Sequence, residues 1–202
     1  MPVSGLWKGN AVRDILDLER FPLDKPGSPE WQALIQRCRA DLDNAGMFNL
    51  EGFVRPAAVD RALSEIKPVM DGKILVDAVV PLVPPKVSVV QLPAAGSPAV
   101  VAQRLLGPGA RVAAAFHNIG AKKLQGGEKV DCDVLVFSDD AAAREQVIAL
   151  ADVVATRGVD GGALANAVAA EALTSVLIAI NRRYKIPGAG IRITGLPAPE
   201  QR

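Results

Sequence analysis

CDVLVFSDDAAAREQVIALADVVA, residues 132–155, holds two different periodicities joined by three polar residues. CDVLVF is a short apolar run rich in β-branched residues, the pattern of a buried strand. Ser138, Asp139 and Asp140 end it. Acids at that place cap a following helix and suit its positive N-terminal end. AAREQVIALADVVA (142–155) supplies the helix. A strand running through a cap straight into a helix is half of a βαβ unit, and so points to an α/β fold.

The flanking segments extend the alternation. RVAAAF (111–116) reads as a strand, and SPAVVAQRLL (97–106) as a short helix capped by Ser97. KILVDAVVPLV (73–83) is a continuous β-branched run of the kind found in buried parallel strands. Its tail, PLVPPK, is an extended loop, because prolines cannot continue a ladder. Downstream, RGVDGG (157–162) reads as a turn. An apolar helix follows from about Ala163 to Tyr184, and GIRITGL (190–196) alternates like a final short strand or extended segment. The expectation is an α/β fold: a partial Rossmann-like parallel sheet with a C-terminal helical segment.

Composition changes near residue 70. Phe21, Trp31, Phe48 and Phe53 lie before it, whereas residues 72–202 are rich in Ala, Val, Leu and Gly. Ser28-Pro29 is a helix start, a cap followed by proline at the first helical position. Trp31, Leu34, Ile35, Cys38 and Leu42 then share one face, and Gly46 is a stop. FNLEGFV (48–54) reads as a short strand or turn. Pro56 opens a second helix with Val59, Leu63 and Ile66 inward. Residues 1–70 are therefore expected as a small, mostly helical appendage ahead of a domain at 71–202. Its core would be marginal alone.

Several function classes are excluded by composition. Net charge is +1 with basic residues scattered, which leaves no nucleic-acid footprint. One histidine and two widely separated cysteines do not make a zinc or redox motif, so no metal is expected. The N-terminus has early acids and no apolar core, unlike a signal peptide. ALANAVAAEALTSVLIAI (163–180) has the bare length of a membrane span, but a mid-span carboxylate costs about 3 kcal/mol. Glu171 makes a core or interface helix the better reading, with no membrane partner and a cytoplasmic location.

The blocks VDAVVPLVPPK, AAFHNIGAKKL, DCDVLVFSDDAAAREQVIALA, GVDGGALANAVAAEALTSVLIAINRRYK and AGIRITGL, in this order, resemble the NADPH-dependent reductases of coenzyme F420, a deazaflavin, over about residues 72–197. The resemblance implies a Rossmann-type nucleotide domain, NADP(H) and coenzyme F420 as cofactors, a homodimer, and reversible hydride transfer between the two rings. The glycine-rich turn G-x-G-x-x-G, which anchors the dinucleotide phosphates in that family, does not occur in this sequence. Residues 19–67 are similar to the N-terminal segment of iron- and 2-oxoglutarate-dependent amino-acid halogenases and hydroxylases, without their iron ligands. Two readings stay open: a reductase, or a non-catalytic remnant or fusion acting as a dimeric binding module.

Candidate residues follow from the resemblance. The loop Phe116 to Lys122 lines the ring-binding cleft, where His117, Asn118, Ile119 and Ala121 contact cofactor; otherwise His117 is a structural donor to the loop. Val83 and Pro84 lie outside the carboxyl end of a strand, where open α/β sheets bind ligands, and the matching valine of the family touches nicotinamide. Asp139 and Asp140 are read as caps. Arg182, Arg183 and Lys185 are read as a cationic last turn or as contacts for the coenzyme tail.

Overall fold

The computed structural model describes residues 10–45, 50, 52–83, 85–124 and 127–197. The chain divides into two compact units, Met1–Glu65 and Ile66–Arg202.

In the first unit, α1 spans Asn10–Ile15, α2 Pro29–Ala45 and α3 Pro56–Ile66. Ser28 caps α2 as its sequence suggests, its hydroxyl oxygen accepting from the N–H of Trp31 at 3.2 Å. Leu18, Phe21, Leu34 and Ala58 are buried, and Phe53 meets Phe21 edge-on at 5.6 Å. Val59 and Ile66, expected inward, are 49 % and 37 % exposed. Among the described side chains of α3 the buried one is the small Ala58, one residue before Val59, while Leu63, also expected inward, is half-buried. Phe48 and Gly46 lie outside the described residues.

The second unit carries the expected alternation. β1 is Ile74–Asp77, α4 Pro98–Leu106, β2 Arg111–Ala114, and α5 the single turn Ala121–Leu124. β3 is Val130–Phe137, α6 Ala141–Val154, β4 Ala155–Gly162, and α7 Ala167–Tyr184, entered through a 3-10 turn at Leu164–Asn166. Ser97 caps α4 by accepting from Val100 N–H, and Asp140 caps α6 by accepting from Ala143 N–H at 2.7 Å. Asp139 instead accepts from Leu164 N–H at 2.9 Å, at the entry to α7. KILVDAVVPLV forms only a four-residue strand. Val79 N–H donates to the Asp77 carboxylate at 3.0 Å, which turns the chain out of the ladder.

The sheet order is β1-β2-β3-β4, and it is mixed rather than parallel. β1 and β2 are parallel, β3 and β4 are parallel, but β2 meets β3 antiparallel at Ala114↔Phe137. The cause is the connection. Parallel neighbours need a crossover, usually a full helix, and between β2 and β3 the described residues contain only the one-turn α5.

RGVDGG is not a turn. It is most of β4, paired with β3 from Asp133↔Arg157 to Phe137↔Gly162. Glycine weakens an isolated strand, but here α6 demands it. A Cβ on Gly158 would lie 2.8 Å from the carbonyl oxygen of Ile148, and one on Gly161 would run into the Phe137 ring. The core lies between sheet and helix: Ala113, Cys132, Val134 and Val136 against Val147 and Ala151. α7 buries Ala167, Ala170, Glu171, Ser175 and Leu177. The segment Leu164–Tyr184 is long and apolar enough to cross a membrane by length and composition, with mean hydropathy 1.5 and 33 % of its apolar window buried.

GIRITGL joins no named strand, and it ends in a turn at Thr194 and Gly195, the latter with φ of 82°. Asp133 N–H donates to Ile191 carbonyl at 2.8 Å, and Ile193 N–H donates to the Asp133 carboxylate at 2.6 Å. Arg157 completes this clasp with two hydrogen bonds to Asp133, at 3.0 and 2.9 Å, and others to the carbonyls of Ile193 and Pro197. Burial by itself raises the Asp133 carboxyl; the Arg157 and Ile193 hydrogen bonds and the guanidinium charge hold it below the usual carboxylate range.

Candidate functional site

β1 and β2 end side by side, Ala115 N–H donating to the Asp77 carbonyl at 2.9 Å. The chain then leaves β2 through Phe116, whose φ of 67° is in the left-handed region. A bulky residue there is unusual and marks a sharp, over-determined turn. The turn delivers His117, Asn118 and Ile119 to the space between β3, α7 and the segment after α7. Three contacts pin them. Thr174 hydroxyl donates to the His117 carbonyl at 2.7 Å, Asn118 Nδ2 donates to the Asp133 carbonyl at 2.9 Å, and Ile119 N–H bonds back to Phe116 carbonyl at 3.1 Å.

These residues wall a cavity of about 380 Å³. Its opposite walls are Thr174 and Asn181 of α7, Lys123 of α5, and the Pro187–Ala189 segment. That segment is itself held in place. Lys123 Nζ donates to Gly188 carbonyl at 2.8 Å, and Ala189 N–H donates to Asn181 Oδ1 at 2.5 Å. A Cβ at Gly188 would sit 2.5 Å from Lys123 Cε, so a side chain there would displace the end of the lysine. The cavity is therefore a largely apolar slot with fixed amides and one ammonium at its rim, a form suited to a planar ring with polar edges.

The structure brings His117, Asn118 and Ile119 together on that wall. Ala121 begins α5 beside them. Val83 is exposed, accepts at its carbonyl from Gln91 Nε2 at 3.0 Å, and is not among the cavity's lining residues. Pro84 lies outside the described residues. Thr174, Leu177, Ile178 and Asn181, which also line the slot, are sites that sequence reasoning missed. Their i, i+3, i+4, i+7 spacing on a helix was the available signal.

His117 has a second side. Its residue is only 5 % exposed, and both ring nitrogens are buried without a hydrogen-bond partner among the described residues. Asp77 and Glu171 approach it, with donor atoms of all three within 4.8 Å of one another. Burial lowers His117 to about 4, so the ring is neutral at physiological pH. Burial raises the Asp77 carboxyl, against the pull of the Val79 N–H. Burial also raises Glu171, aided by the Asp77 charge, while hydrogen bonds from Ser97 and from Ala99 N–H oppose it. Ser97 hydroxyl donates to Glu171 Oε1 at 2.6 Å, whereas Oε2 is buried and unpartnered among the described residues. These residues are far apart in the chain, so no sequence motif announces the cluster.

No protein-family model matches this chain. Among curated proteins, it is 39 % identical over 144 residues to the F420-dependent NADP reductase of Methanothermobacter thermautotrophicus, covering 68 % of this chain and 62 % of that protein. It is 37 % identical over 139 residues to the F420-dependent NADP reductase of Methanocaldococcus jannaschii, covering 66 % and 62 %. The chain thus spans about three fifths of the length of these relatives. A crystal structure of a candidate F420-dependent NADP reductase from Arthrobacter sp. FB24 superposes with a TM-score of 0.55 at 28 % identity, over 68 % of this chain and 64 % of that one. The α/β architecture is therefore shared with a solved protein of that description.

Proposed function

We propose that this chain binds the deazaflavin ring of coenzyme F420 in the slot beside His117, Asn118 and Ile119, and takes part in hydride transfer between it and NADP(H). The observation that carries this reading is the similarity to a protein named F420-dependent NADP reductase, 39 % identical over 144 residues. The slot suits the reading, because hydride transfer between two rings asks a protein mainly for orientation and contact distance. Ile119 supplies an apolar wall and Lys123 a cation. Asn118 lines the slot, and its Nδ2 hydrogen bond to the Asp133 carbonyl fixes the amide, whose remaining N–H and Oδ1 can meet a ring edge.

NADP(H) is the weaker of the two ligands in this proposal. The sequence has no G-x-G-x-x-G to gather phosphate oxygens at a helix N-terminus. Calorimetric titrations of the full chain, done separately, test both halves. Oxidised coenzyme F420 is expected to bind, and NADPH to bind more weakly than micromolar, that is by less than about 8 kcal/mol. With excess NADPH, hydride transfer is read as loss of the deazaflavin absorbance. No detectable F420 binding would sink the proposal; micromolar NADPH binding would overturn its second half.

The assembly we propose is a homodimer through α7. That helix is apolar on most sides, and Val176 remains 42 % exposed between its buried positions. Sedimentation at micromolar concentration is expected to show a dimer that Val176→Glu dissociates. Monomer in the unaltered protein would count against it. Cys38 and Cys132 are free thiols, which suits the cytoplasm as the proposed compartment.

A further inference from the structure

We infer that Asp77, His117 and Glu171 form a binding site for a divalent first-row transition cation. The three residues come from the end of β1, the turn after β2 and the body of α7, and their donor atoms converge within 4.8 Å. His117 and Glu171 are 5 % and 1 % exposed, and Asp77 is 9 % exposed. None of the three hydrogen-bonds to another in the described structure, although all are polar and close. His117 keeps both ring nitrogens, and Glu171 keeps Oε2, buried and unpartnered among the described residues. Such atoms are costly to bury unless something bridges them.

A cation at their centre answers each of these points. Donors about 2.0–2.2 Å from a common ion lie roughly 3–3.5 Å apart, so only a small inward movement is needed. Two carboxylates balance a divalent charge, and a neutral imidazole is the ligating form. Ser97 hydroxyl fixes one Glu171 oxygen at 2.6 Å and Val79 N–H fixes one Asp77 oxygen at 3.0 Å. Partners of this kind orient ligands toward a metal. One nitrogen and two oxygens select the class. Calcium takes six to eight oxygens, and magnesium keeps most of its waters, whereas imidazole with carboxylate suits zinc, cobalt, iron or manganese.

The site is independent of the F420 reading, since it is tested without either cofactor. The full chain, stripped with chelator, is titrated with Co²⁺ under visible spectroscopy and with Zn²⁺ in equilibrium dialysis. One equivalent is expected to bind, with d–d bands and a metal-dependent rise in melting temperature. Glu171→Gln and His117→Gln are each expected to weaken binding by about a hundredfold. Ser97→Ala, which leaves all three donors in place, should weaken it by about tenfold. Should both glutamine variants fail to fold, the Ser97→Ala titration decides. No stoichiometric uptake by the folded wild-type chain at millimolar metal overturns the inference, as does uptake that none of the folded variants weakens. A polar cluster bridged only by protons or water would give the first of these results.

Discussion

Arg157→Ala is expected to cost about 3–5 kcal/mol and to leave the Ile66–Arg202 unit at the edge of unfolding. Arg157 is 6 % exposed and Asp133 is 0 % exposed, so the substitution strands a carboxylate in the core without its counter-charge. It also frees the carbonyls of Ile193 and Pro197, which the guanidinium bridges at 2.7 and 2.8 Å. The segment after α7 should therefore become protease-sensitive before the sheet does. Urea unfolding of both proteins measures the loss, and a difference below about 1 kcal/mol would show that the clasp is not structural. The sign with pH is determined as well. Asp133 is held below its ordinary range in the folded chain, so its contribution is present above the unfolded carboxylate value of about 3.9. It is lost as pH falls through the lower folded value. In Arg157→Ala burial, which raises the carboxyl, is opposed only by the Ile193 hydrogen bond and the Arg192 charge, so acidification relieves the stranded charge. The gap between wild type and variant should narrow below about pH 4.

Phe137→Ala is expected to cost about as much, ~3–5 kcal/mol, for a different reason. Phe137 is 4 % exposed and sits where three strands meet, paired with Ala114 of β2 and Gly162 of β4. Its ring fills the space that a side chain on Gly161 would need. Removing it opens a cavity at the one register pair that joins the two parallel halves of the sheet. The ring and the glycine should be coupled. Gly161→Ala alone is expected to be strongly destabilising, because its methyl collides with the ring; in the Phe137→Ala background that cost should largely vanish. A double-mutant cycle by chemical denaturation reads this as a non-additive term. Strict additivity would mean that the ring and Gly161 do not share the space.

The elements that read clearly from sequence were those whose signals are local. Ser97, Asp140 and Ser28 cap α4, α6 and α2 as their positions before apolar runs suggest. Their cause is a hydrogen bond to an N–H three residues on, which needs no tertiary partner. The strand of β3 and the helix of α6 followed from β-branched density and 3.6-residue spacing in the same way. His117, Asn118 and Ile119 were legible because a resemblance covers a contiguous loop.

Other features had no local signal. β4 carries Arg157, Gly158, Asp160, Gly161 and Gly162, a composition that spells a turn. It is a strand because α6 lies too close for a side chain at Gly158, and because Arg157 has Asp133 to neutralise it. The antiparallel step between β2 and β3 depends on how little helix the connection holds, and the slot wall of Thr174 and Asn181 depends on which face of α7 turns inward. By itself the sequence determined the alternation of strands and helices, their caps, and the loop that bears the only histidine. The tertiary structure alone decided that this histidine sits between Asp77 and Glu171. Burial, charge pairing and close packing act between residues distant along the chain, and periodicity has no means of recording them.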